Sequence, residues 1–111
     1  MGTKARAKPK RLGGKLRQIR LALGLTQMQM PERLGAEGLI QAARISAARI
    51  SEYELGLREP SLMILLSYAR LARVHMEALV DDELDLPERL PGTTQHETIK
   101  RQYAPRRKAK R

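Results

Sequence analysis

Leu12, Leu16, Ile19 and Leu23 recur at steps of four, three and four, while Lys15, Arg17, Gln18 and Arg20 fall between them. That spacing puts one apolar stripe on a helix, and Gly24 stands where a left-handed cap would end it. The next segment, LTQMQMPERLG, carries a capping box. Thr26 is placed to accept from the Gln29 backbone N–H while the Gln29 side chain returns to Thr26, with Leu25 and Met30 as the flanking apolar pair. A short second helix is predicted here, closed at Gly35 and loosened by Pro31, which removes a hydrogen bond to the Gln27 carbonyl.

Residues 42–51 read AARISAARIS, the same five residues twice. Apart from Gly38, the stretch from Gly35 to Glu54 is helix-compatible, with Ile40, Ile45 and Ile50 spaced by five. On a helix, a five-residue step turns a side chain by roughly 140° and advances it roughly 7.5 Å. The three isoleucines are therefore not expected to face one core, and the two copies are not expected to do the same job.

Gly56 then reads as a stop and Pro60-Ser61 as a start, with Ser61 as N-cap. LMILLSYARLA follows, apolar on most sides, a central helix with Leu62, Leu65, Leu66, Ala69 and Ala72 facing inward. Met76, Leu79 and Val80 give a short fifth helix before the acidic DDELDLPERLP, whose Pro87 and Pro91 end regular structure. Five short helices, the second and third close together and the third bearing polar residues, outline a helix-turn-helix module.

Composition supports an all-α reading: three Tyr, no Phe and no Trp among 111 residues, with Leu, Ile, Ala and Arg abundant. No Cys is present, which removes disulfides, thiolate zinc ligation and a Cys nucleophile. Neither a membrane-spanning apolar run nor the hydrophobic stretch of a signal peptide is found, so the chain is expected to be cytosolic and soluble.

Charge is unevenly placed. Residues 1–11 hold five Lys or Arg and no acid, and residues 92–111 hold seven against Glu97 alone. Of a net +10, the two ends therefore supply +11 and residues 12–91 only −1. Cationic arms on a near-neutral body suit a polyanion. The expected layout is a basic disordered arm over 1–11, a domain over 12–86 and a basic tail over 87–111.

The order GKLRQIRLALGLTQ, then ISEYELGLREPS, then LLSYARLARV resembles the Cro and phage-repressor (Xre) family of DNA-binding regulators, from about Leu12 to Asp85. The resemblance implies a five-helix, lambda-repressor-like helix-turn-helix domain whose third helix lies in the major groove. It places Gln27 at the opening of the second helix, on a phosphate or base edge. Ile50 becomes the buried position of the third helix, with Ala47, Ala48, Arg49, Ser51 and Glu52 on or near its base-reading face. Tyr53 and Arg58 fall where the family packs against, or hydrogen-bonds to, the DNA backbone. Arg can pair with guanine O6 and N7, Glu can accept from cytosine N4, and Ala can touch a thymine methyl.

Two departures from the family pattern stand out. Pro31 replaces a helix former, and fourteen residues, Ala36 to Arg49, stand where about five are usual. Only the second AARIS is in phase with EYELGLREPS, so the first is expected to extend that helix or join the turn, its Arg44 better suited to a phosphate or to solvent than to a base.

The implied function is a sequence-specific transcriptional regulator, a repressor, binding double-stranded DNA as a homodimer. The expected dimer surface is Leu79, Val80, Leu84 and Leu86, which core packing explains equally well. Alternatives are the antitoxin of a toxin–antitoxin pair, with a toxin as protein partner, or a nonspecific nucleic-acid-binding protein. Arg49 could instead be a surface charge paired with Glu52 or Glu54, Tyr53 a packing residue, and acids 81–85 a solvated or interface face. His75 and His96 have no partner spacing for a metal or a base. No cofactor, metal or catalytic residue is expected.

Overall fold

A computed structural model describes residues 8–92, which form five α-helices: α1 (Leu12–Ala22), α2 (Met30–Gly35), α3 (Ala47–Glu54), α4 (Leu62–Ala72) and α5 (Met76–Val80). A 3-10 turn, Ala42–Arg44, lies between α2 and α3, and no strand occurs among the described residues. The expectation of an all-helical domain holds. The basic stretches at 1–7 and 93–111 lie outside the described residues.

α1 and α4 organise the packing. α1 touches α3, α4 and α5, while α2 lies against the 3-10 turn, α3 and α4. Leu16, Ile19, Met30, Leu34, Ile50, Tyr68 and Leu79 fill the centre and are fully buried. In α4 the inward row is Leu65, Ala69 and Ala72, joined by Tyr68 and Leu71. Leu62 begins that row one turn early and is 68 % exposed, correcting its inward assignment. Leu66 is only half-buried.

The Ser61 and capping-box start signals and the stops at Gly24 and Gly56 work as the sequence proposes, whereas Pro91 and Gly92 are helical where regular structure was expected to end. Ser61 Oγ accepts from Ile64 N at 3.3 Å, and Thr26 and Gln29 exchange both capping-box bonds at 2.9 and 3.1 Å. Regular helix nevertheless begins only at Met30, leaving Pro31 in the first turn of α2, where an absent N–H costs nothing. α1, α3 and α4 each end with a backbone N–H reaching back five residues: Leu25 to Arg20, Leu57 to Glu52 and Val74 to Ala69. The residue before that donor takes positive φ: Gly24, Gly56 and, without the help of glycine, Arg73 at φ 61°.

Two side chains expected off the buried stripe of α1 are inside. Lys15 is 2 % exposed and donates from Nζ to the carbonyls of Ala78 (2.7 Å) and Asp81 (2.9 Å). Its ammonium thus joins the carbonyl of Ala78, in the last turn of α5, to that of Asp81, which also accepts from Leu84 N. Arg20 is buried for a different reason, given below.

The packed region also reaches past both expected boundaries. Asp82 accepts from the backbone N–H groups of Lys10 (2.8 Å) and Arg11 (3.0 Å), and Arg11 Nη1 donates to the Asp82 carbonyl (2.8 Å) while Nη2 pairs with Asp85. The acidic segment therefore grips the root of the basic arm. At the other end Leu90 is buried with Leu86, and Gly92 presses on the end of α4. Of the four residues expected at a dimer surface, Leu79 and Leu86 belong to the core, and Val80 and Leu84 are exposed.

Gly13 and Gly14 give opposite expectations. A Cβ on Gly13 would lie 2.7 Å from the Glu54 carbonyl oxygen and 2.9 Å from that of Tyr53, whereas one on Gly14 meets nothing within 4 Å. Gly13→Ala must push α1 off the end of α3 and should cost about 1–3 kcal/mol. Gly14→Ala should gain up to about 1 kcal/mol from helix propensity. Thermal melts of the two variants should therefore move in opposite directions.

The Lys10 and Arg11 amides hold the Asp82 carboxyl below its usual range. A carboxylate with a depressed folded value adds stability above its unfolded value and loses it as pH falls through the folded one. Asp82→Asn should thus melt lower than wild type at neutral pH, the gap closing below about pH 4. A gap of constant size from pH 7 to pH 3 would exclude the carboxylate as the grip.

Candidate nucleic-acid interface

The two copies of AARIS take different backbones. The first forms the 3-10 turn and then an extended pair, Ile45 and Ser46. Ser46 ends that copy and caps the next helix, its Oγ accepting from Arg49 N at 3.1 Å. The second copy is the first five residues of α3. Of the two expectations for the first copy, extension of the helix and membership in the turn, the turn is found. Gly38 at φ 84° and the extended Ile45–Ser46 step interrupt any helix running into α3.

The same interruption corrects the argument about isoleucine. Ile45 and Ile50 are buried and Ile40 packs against the same core. The five-residue spacing forbids a shared face only on one continuous helix, and this segment is not one. Gly35 allows the arrangement, since a Cβ there would lie 2.9 Å from Ala42 Cβ. The doubled unit is thereby folded against α2.

α3 buries Ile50, Tyr53 and Glu54, at steps of three and one, and turns the other side outward. At 100° per residue, Ala48 and Glu52 lie near the middle of the outward side, flanked by Ser51 and Arg49, with Ala47 at its edge. Ala48 is exposed, and Ala47, Arg49, Ser51 and Glu52 are half-buried. Glu52 Oε1 pairs with Arg49 Nε at 3.3 Å and accepts from Arg58 Nε at 3.0 Å, so Arg58, from the loop after α3, joins this face. The pairing foreseen for Arg49 is made with Glu52.

Three other sequence-derived residues stand elsewhere. Tyr53 is a core residue, 4 % exposed. Arg44 lies on the 3-10 turn, exposed, with Nε donating to Gln41 Oε1 at 3.2 Å. Gln27 lies in the turn before α2, and its Nε2 donates to Glu54 Oε1 at 3.1 Å. It is thereby tied to the end of α3.

That bond belongs to a buried cluster the sequence reading missed. Arg20 donates from Nε to Glu54 Oε2 (2.7 Å), from Nη2 to Oε1 (3.0 Å) and from Nη1 to the Leu25 carbonyl (2.9 Å). Both side chains are nearly enclosed, at 10 % and 3 % exposure. The hydrogen bond to Glu54 raises Arg20 above its ordinary value against the opposing effect of burial. Close by, burial and the Glu54 charge push the Tyr68 phenol upward, keeping it neutral. A signal was present in the sequence: Arg20 stands four residues after Leu16 and Glu54 four after Ile50, each at the edge of an apolar stripe.

α2, the linking segment and α3 together form a helix-turn-helix unit with an eleven-residue link, 36–46. A family model described as a helix-turn-helix domain matches residues 11–82. This chain belongs to that family, and its described region is a helix-turn-helix DNA-binding domain. No curated protein and no solved structure matched the chain. Among the described residues, no helix is long and apolar enough to cross a membrane.

Removing one partner of the buried pair strands the other. Glu54→Leu should destabilise by about 3–5 kcal/mol, while Arg20→Met with Glu54→Leu should cost much less than the two single changes added together. Urea unfolding of the four proteins measures the coupling. Additive losses would mean that the pair is solvated in solution.

Proposed function

We propose that this protein is a sequence-specific transcriptional regulator of the Cro and phage-repressor type, a repressor that occludes an operator in double-stranded DNA. α3 enters the major groove with Ala47, Ala48, Arg49, Ser51 and Glu52 facing base edges, Arg49 toward a guanine and Glu52 toward a cytosine amine. Arg44 meets a phosphate beside the N-terminal end of α3, while Arg58, after the other end, is held by Glu52. The observation that supports this reading best is the division of α3. Its inner side is fastened by Ile50, Tyr53 and the Arg20–Glu54 pair, while its outer side carries hydrogen-bonding residues and an exposed alanine.

Gln27 acts in this reading through Glu54, by holding the end of α3 in place. The basic residues of 1–11 and 87–111 add affinity that is independent of sequence, acting on the phosphate backbone. Two copies of the chain would meet half-sites one helical turn apart.

Selection of bound fragments from a random DNA pool should recover a short motif. Against that motif, Arg49→Ala should lose about 1–3 kcal/mol, with little change on random duplex. Equal losses on both would restrict Arg49 to phosphate contact, and recovery of no motif would favour a nonspecific nucleic-acid-binding protein.

A further inference from the structure

Glu52 sits near the centre of the outward side of α3, and one of its oxygens is shared. Oε1 lies 3.3 Å from Arg49 Nε, one turn earlier on the helix, and 3.0 Å from Arg58 Nε, in the loop that follows. A single carboxylate thus engages both arginines placed on this face. The loop is fixed independently of that contact, because the backbone N–H groups of Leu57 and Arg58 both donate to the Glu52 carbonyl. Arg58 is therefore delivered to Glu52 by the turn that ends the helix. The three side chains are 38 to 51 % exposed, so the pairs are screened by solvent and open easily.

We infer that Glu52 is a specificity-determining residue that works by subtraction: it keeps Arg49 and Arg58 neutralised, so that random DNA gains little from either. The inference rests on the reading of α3 as the base-reading helix. Nonspecific affinity grows with the number of phosphates that cations neutralise, through release of condensed counterions. An arginine already paired with a carboxylate offers a phosphate only an exchange of one anion for another. A guanine edge offers more than that, since O6 and N7 match the planar fork of the guanidinium and bind it through two hydrogen bonds at once. Cognate DNA therefore opens the Arg49 pair on geometric grounds that a passing phosphate lacks. Once Arg49 has turned to its base, Arg58 is the cation left to Glu52, and the carboxylate remains occupied.

The sign of the effect separates this role from that of a simple base reader. Each phosphate contact contributes about −0.9 to the slope of log K against log salt. Glu52→Gln, which frees two cations, should steepen the slope on random duplex by up to about 1.8. At moderate salt it should tighten random binding by about three- to tenfold, lowering the ratio of specific to nonspecific affinity. The same substitution should change nothing on random duplex in an Arg49→Gln, Arg58→Gln background, where no cation is left to release.

Salt titrations of the four proteins, full-length, against a random-sequence duplex test the inference. A steeper slope that depends on the two arginines supports it. An unchanged slope for Glu52→Gln overturns it. A gain that persists without Arg49 and Arg58 also overturns it, since Glu52 would then act only by repelling phosphates. The random-duplex titrations read this role without a cognate site, whereas failure of the proposed function would appear as a random pool that yields no motif.

Discussion

The paired charges of Arg20 and Glu54 set where α3 sits. α1, the turn before α2, and α3 converge on this cluster, because Arg20 also holds the Leu25 carbonyl and Gln27 reaches the same carboxylate. Enclosing two charges is costly, and only full hydrogen bonding makes it tolerable. The pairing is bidentate and fixed in direction, so it defines the orientation of α3 against α1 more narrowly than apolar contact alone could. Gly13 belongs to the same constraint. Its missing side chain lets the start of α1 approach the last carbonyls of α3, so the two helices touch near both ends of α1.

The repeated pentapeptide illustrates how far context governs a short sequence. Both copies are compatible with a helix, yet one is a turn and the other a helix. The difference comes from their surroundings. The first copy follows a left-handed glycine and folds against Gly35, which leaves no room for a side chain beside Ala42. The second is preceded by a serine whose hydroxyl accepts from a first-turn amide. That serine ends one copy and starts the other, so the repeat supplies its own punctuation. Both copies keep their isoleucine in the core, which is how the chain absorbs additional length between α2 and α3 without exposing an apolar surface.

Charge acts at two distances in this molecule. The basic ends supply a field that favours any polyanion, and Asp82 fixes the place where the first of them leaves the domain. On the surface of α3, by contrast, each arginine of the Glu52 cluster faces a carboxylate at hydrogen-bond range. The protein thus combines a body of nearly balanced charge with strongly cationic ends, and the balance extends to the face where discrimination would be exercised.

Periodicity, caps and glycines made the helices legible in the sequence. The stripe of α1, the capping box at Thr26 and Gln29, the Ser61 cap and the stops at Gly24 and Gly56 are local devices, completed within a few residues, so the sequence states them directly. The outward residues of α3 were legible for the same reason once its phase was set by Ile50. What the sequence could not state were the partners of Lys15, Arg20, Gln27 and Asp82. Each of these bonds joins residues 27 to 72 positions apart, and a charged side chain looks the same in sequence whether it is solvated or enclosed. The fate of the first AARIS was equally hidden, because its helix propensity is outweighed by packing against α2. Only the tertiary structure decides such cases, since burial and pairing depend on which surfaces meet.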